Sequence, residues 1–132
     1  MRLPASLRIA TYAVGLTVAA SGVTWLLTPQ GSRRVTAACM AVHGSAAMVL
    51  LVLVGAVAAL HAPTGWRERK NRASGAVFTV TLSVLVATGA MLYYVGDEGL
   101  RSAASVVHWA IGSAVIILGG LHVWLGRRSR ER

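Results

Sequence analysis

The sequence predicts an all-α fold, a transmembrane four-helix bundle, and three observations lead there. More than half of the 132 residues, 55%, are hydrophobic. The apolar residues gather into four stretches, 9–27, 35–61, 75–95 and 102–125. Each is near or above the ~20 residues that carry a helix across a bilayer core. No Asp, Glu, Lys or Arg interrupts any of them, so none has the polar face that a helix needs in a water-soluble bundle.

The first stretch follows Arg2 and Arg8 as a signal peptide would. Its apolar run is longer than the usual ~7–15 residues, and no small-x-small cleavage site follows it, so it reads as a retained span. The second is the longest, and Pro63 restricts Ala62, which predicts a helix end there with His61 in the last turn. Cys39, the single cysteine, falls inside this span, so no disulfide framework exists. The third and fourth spans flank a short loop that carries Asp97 and Glu98. The whole chain reads as one domain of four helices.

A net charge of +9 would suggest nucleic acid in a soluble chain. Here its placement argues against that partner. With four spans, the N-terminus, the 62–74 loop and the C-terminal tail share one side of the membrane. That side holds Arg2, Arg8, Arg67, Arg69, Lys70, Arg72, Arg127, Arg128, Arg130 and Arg132, against Arg33, Arg34 and Arg101 on the other. The positive-inside rule then places both termini in the cytoplasm, and the basic excess needs no further ligand.

An internal repeat is written into the spans. "VHGSAAMVLLVLVGAVAALH" (42–61) and "VHWAIGSAVIILGGLH" (107–122) both open on Val-His and close on Leu-His. The spans before them, "LTVAASGVTWLL" (16–27) and "LSVLVATGAMLYY" (82–94), each carry a small hydroxyl residue followed by glycine. The chain thus reads as two parallel helical-hairpin repeats related by an axis along the membrane normal.

All four histidines fall on the second and fourth spans. His43 and His108 are expected at matching depth toward the outer leaflet, and His61 and His122 toward the inner one. His108 and His122 are fourteen residues apart, which puts them within ~40° of one another and roughly 21 Å apart along a helix. His43 and His61 share a face at about 27 Å, one turn more. Intramembrane ionisable groups are costly and mark function more often than packing.

Zinc wants three or four nitrogen, sulfur or carboxylate ligands, and each level offers two histidines. A proton-coupled exporter would use a membrane carboxylate, which the spans lack. Haem takes two axial ligands on opposite sides of a flat ring, and one imidazole from each of two facing helices supplies them. Two levels give two haem groups, each with one iron. No Cys-x-x-Cys-His is present, so they would be non-covalent haem b. Gly44 and Gly112 near the outer pair, and Gly55, Gly119 and Gly120 toward the inner one, allow close approach to a flat ring; Gly15, Gly22 and Gly89 could face it from the other spans. Small residues for helix packing account for each of these equally well. Arg33, Arg34 or Arg101 outside, and Arg67, Arg69, Arg72 or Arg127 inside, are candidate partners for propionates. Trp and Tyr near the span ends read as an aromatic belt.

With His-x13-His in the last span, and with "TGAMLYYVGDEGLR", "VVHW" and "LHVWLGRR" (within 88–128), the chain resembles the bacterial cytochrome b561-type di-haem proteins. It also resembles the cytochrome b membrane anchors of formate dehydrogenases and nickel-iron hydrogenases. Those anchors take one ligand from the first span, which here has no histidine. Two histidines on each of two helices is closer to cytochrome b of the quinol-oxidising complexes. The resemblance implies single-electron transfer across a bacterial inner membrane through two bis-histidine haems. Quinol is the first expected donor, a redox partner protein the second, and superoxide the third. The rival reading, from another class, is a non-redox scaffold or small transport subunit whose histidines serve packing.

Reporter fusions test the orientation. A fusion at residue 98 should read periplasmic and one at the C-terminus cytoplasmic; the opposite pattern reverses which pair of histidines faces which compartment.

Overall fold

The computed structural model describes residues 3–28, 32–69 and 71–128. Arg2, Lys70, Arg130 and Arg132, counted above among the cytoplasmic charges, lie outside the described residues. Four helices form: α1 (Ala5–Leu27), α2 (Arg33–Arg67), α3 (Arg72–Tyr94) and α4 (Glu98–Arg128). No strand occurs among the described residues. All four are long and apolar enough to cross a membrane.

The chain divides into two compact units, Met1–Arg67 and Glu68–Arg132. In the first, α1 packs on α2; in the second, α3 packs on α4. Each unit is therefore a helical hairpin, as the repeat predicts.

Very little is buried within either hairpin. Among the described residues, Ser21 is the buried residue of the first, and Thr88 and Ala104 those of the second. Ile9, Leu16, Val52 and Ile117 are all more than 60% exposed. Such a surface would be an aggregation hazard in water, and a bilayer solvates it without cost. The hydroxyls scattered along the spans need a different account, because hydrocarbon offers them no partner. They bond back to their own helices: Thr17 Oγ1 donates to Ala13 O at 3.0 Å, Thr24 Oγ1 to Ala20 O at 2.8 Å, and Thr81 Oγ1 to Val77 O at 2.8 Å.

The helices outrun the apolar stretches, because flanking polar residues prolong a helix once the span has nucleated it. Arg33 and Arg34 join the first turn of α2, and Arg101 the first turn of α4. Asp97 caps α4, with its Oδ1 accepting Leu100 N–H at 2.8 Å. Glu98 in the first turn suits the positive end of the helix dipole. Between α2 and α3 the chain turns through two left-handed residues, Arg69 (φ 55°) and Asn71 (φ 54°). Asparagine tolerates this conformation better than other non-glycine residues.

One expectation is corrected. Pro63 does not end α2; the helix continues to Arg67, so His61 lies six residues before the end and not in the last turn. Proline removes the N–H that would bond Ala59 O, but the other backbone groups of this segment still pair within the helix. In a membrane helix that local loss is tolerated, since leaving the helix would expose more unpaired groups. Pro63→Ala should therefore restore one backbone bond and raise the unfolding free energy by about 1–3 kcal/mol. Thermal unfolding in detergent measures this, and an unchanged stability would mean that Pro63 sits where the helix no longer needs its bond.

Candidate cofactor site

His43 and His108 occupy the same place in their helices. Each lies ten residues after the first residue of its helix, Arg33 in α2 and Glu98 in α4. Each reaches across its own hairpin to the preceding helix. His43 Nδ1 stands 3.0 Å from Val18 O and 3.3 Å from Ser21 Oγ. His108 Nδ1 stands 3.1 Å from Leu85 O and 3.1 Å from Thr88 Oγ1.

These contacts fix the tautomer. A carbonyl oxygen can only accept, so Nδ1 carries the proton in both rings. The hydroxyls agree, because their protons are already committed. Ser21 Oγ donates to Thr17 O at 2.7 Å, and Thr88 Oγ1 to Val84 O at 2.9 Å. Each hydroxyl oxygen therefore accepts from the imidazole. With Nδ1 protonated, a neutral imidazole has its lone pair on Nε2.

The glycine beside each hydroxyl makes room for the ring. A Cβ on Gly22 would come within 3.1 Å of His43 Cε1, and one on Gly89 within 3.2 Å of His108 Cε1. Gly22 and Gly89 thus seat histidines of their own hairpins, where the sequence suggested that they could face a cofactor ring. Val18, Ser21 and Gly22 match Leu85, Thr88 and Gly89 at a step of 67 residues, and His43 matches His108 at 65. The repeat is a repeat of this seat.

His122 has a seat of the same kind. Its Nδ1 lies 3.1 Å from Ser74 Oγ, which donates its own proton to Asn71 O at 3.1 Å. Gly75 follows Ser74, and a Cβ there would sit 3.7 Å from His122 Cε1. Phe78 stacks on the imidazole with ring planes 3° apart and centroids 5.8 Å apart. Gly119 makes space for Phe78, since a Cβ would meet its Cε2 at 3.3 Å; Gly112 has only Leu85 Cδ1, at 3.7 Å. Gly44 directly follows His43 in α2.

The step of 65 residues aligns His122 with Val57, and His61 with Gly126. The His122 seat has no copy in the first hairpin, where Leu7, Arg8 and Thr11 stand for Ser74, Gly75 and Phe78. His61 is an exposed residue of α2, one turn further along than His122 is along α4. His61 and His122 are thus not equivalent, unlike His43 and His108.

The candidate propionate partners are exposed at helix ends. Arg33, Arg34 and Arg101 flank the ends nearer His43 and His108, and Arg67 ends α2 beyond His61. The guanidinium of Arg128 lies 4.4 Å from the centre of the Trp124 ring, a cation–π contact. Asp97, from the loop between the third and fourth spans, serves as the α4 cap.

The hydroxyl partners Ser21, Ser74 and Thr88 and the stacking residue Phe78 did not emerge from the sequence as site residues. A signal was there. The chain holds four Ser/Thr-Gly dipeptides, and the three on α1 and α3 each adjoin a histidine. Comparison with protein-family models, curated proteins and solved structures finds no match to this chain.

Gly22→Ala and Gly89→Ala should each crowd an imidazole and lower stability by about 1–3 kcal/mol, the usual cost of overpacking. Gly55→Ala, with nothing within 4 Å of the added methyl, should be neutral or raise stability by up to about 1 kcal/mol. Thermal unfolding in detergent compares the three, and equal effects at all positions would remove the tight-seat account.

Proposed function

We propose that the protein is a membrane di-haem b-type cytochrome that carries single electrons across a bacterial inner membrane, with both termini in the cytoplasm. The observation that carries this reading is the tautomer imposed on His43 and His108. Imidazoles that ligate iron typically donate the other ring N–H to a carbonyl or similar acceptor, which sets the ring plane and the ligating nitrogen. Both histidines meet that requirement through the same pair of acceptors, so the donor set fits haem.

His43 and His108 would hold one haem b and His61 and His122 the other, with one imidazole from each hairpin in both cases. The exposed arginines at the helix ends, Arg33, Arg34, Arg101 and Arg67, would meet the propionates. When bound, haem supplies a reversible one-electron couple, and two imidazole ligands leave no open iron position for oxygen chemistry. The chain's own part is to orient the ligands, surround the ring with apolar side chains and separate the two levels across the bilayer. Quinol is the preferred donor, since the chain places its histidines in helices that cross the lipid phase. Quinol oxidation releases protons that Asp97 and Glu98 could accept, and Glu98 is the better candidate because Asp97 is occupied as a cap.

The test is colour. Protein purified from cells well supplied with haem should show a b-type pyridine haemochrome and close to two haems per chain. His43→Ala and His108→Ala should each remove the same haem, and His122→Ala the other. A colourless preparation would overturn the electron-transfer reading and favour a non-redox membrane scaffold.

A further inference from the structure

We infer that Ser21 and Thr88 are positioning residues that set the donor strength of His43 and His108, and through it the reduction potential of the haem these two histidines hold; the inference rests on the haem reading above. Each imidazole proton is shared between two acceptors one helical turn apart, a carbonyl at position i and a hydroxyl at i+3: Val18 and Ser21, Leu85 and Thr88. The carbonyl alone would fix the tautomer. The hydroxyl does something more, because its own proton is spent on its helix and its oxygen presents only lone pairs to the ring.

A second acceptor on Nδ1–H draws the proton further from the ring and raises the basicity of the opposite nitrogen. A more basic ligand stabilises ferric iron more than ferrous iron, so the paired acceptors lower the potential. Ser21 and Thr88 are also the buried polar residues of their hairpins, at 8% and 7% exposure, where low dielectric strengthens such bonds. Serine in one hairpin and threonine in the other present the same oxygen at the same position. Hydroxyl chemistry is thus the common feature, and side-chain shape is not.

Removal of both hydroxyls in Ser21→Ala/Thr88→Ala should leave two haems per chain and shift one of the two redox waves upward. A tenfold change in the ferric-to-ferrous equilibrium is the expected size, about 59 mV for one electron. The wave that moves should be the one abolished by His108→Ala. The exchange Ser21→Thr/Thr88→Ser keeps both hydroxyls and should restore the original potential. A wave that stays in place in the double alanine variant, or an equal shift of both waves, would overturn the inference while the haem reading stands. Nitrogen NMR of the histidine side chains in haem-free protein gives a readout independent of the cofactor: His43 and His108 should be protonated at Nδ1, and protonation at Nε2 instead overturns the positioning role. If the protein is colourless, the haem reading and the potential fail together, and the nitrogen spectrum alone decides the tautomer.

Discussion

Hydrocarbon offers no hydrogen bonds, so every polar group carried into it must find its partner inside the protein. For backbone groups the helix does this. For most hydroxyls a bond back to the preceding turn does it. An imidazole cannot reach its own backbone in this way, and its proton goes to the neighbouring helix. That is why His43 ties α2 to α1, and His108 and His122 tie α4 to α3. A buried donor left without a partner costs about 1–3 kcal/mol, while an interhelical bond in a membrane returns about 0.6–2. The histidine bonds are therefore modest contributors to stability and strong selectors of register: sliding one helix by a residue would orphan the donor.

Glycine and hydroxyl act together in these seats. The hydroxyl supplies a lone pair, and the adjacent glycine lets the ring come close enough to use it. Contacts of 3.1 and 3.2 Å to the built Cβ positions leave no room for a methyl group beside His43 and His108. The His122 seat is looser at 3.7 Å, and its ring is stacked on Phe78 as well. One hairpin therefore carries a tight seat and a stacked one, and the other carries a tight seat at the matching place.

The same asymmetry bears on the proposed function. His43 and His108 are held by equivalent contacts, each within its own hairpin. His122 is held by Ser74 and Phe78, whereas His61 stands one turn further along its helix. Under the haem reading, unlike surroundings of this kind would give the two haems unlike potentials and so set a direction for the electron.

The sequence by itself determined four spans, their approximate limits, the hairpin repeat and the concentration of all four histidines on two helices. These follow from composition and periodicity, because a bilayer demands long uninterrupted apolar runs and tolerates few charges within them. Even the hydroxyl-glycine pairs were visible as a recurring pattern. Their task was not, since a contact between residues 21 and 43, or 74 and 122, depends on how two helices are rotated against each other. Tertiary structure also decided the fate of Pro63. A residue-level rule predicts a break there, but the alternative to a helix in that segment is more unpaired backbone, and α2 runs on to Arg67. The differing registers of His61 and His122, by contrast, were legible beforehand. The spacing of eighteen residues against fourteen already showed the mismatch in the sequence, and the structure added the His122 seat on Ser74 and Phe78.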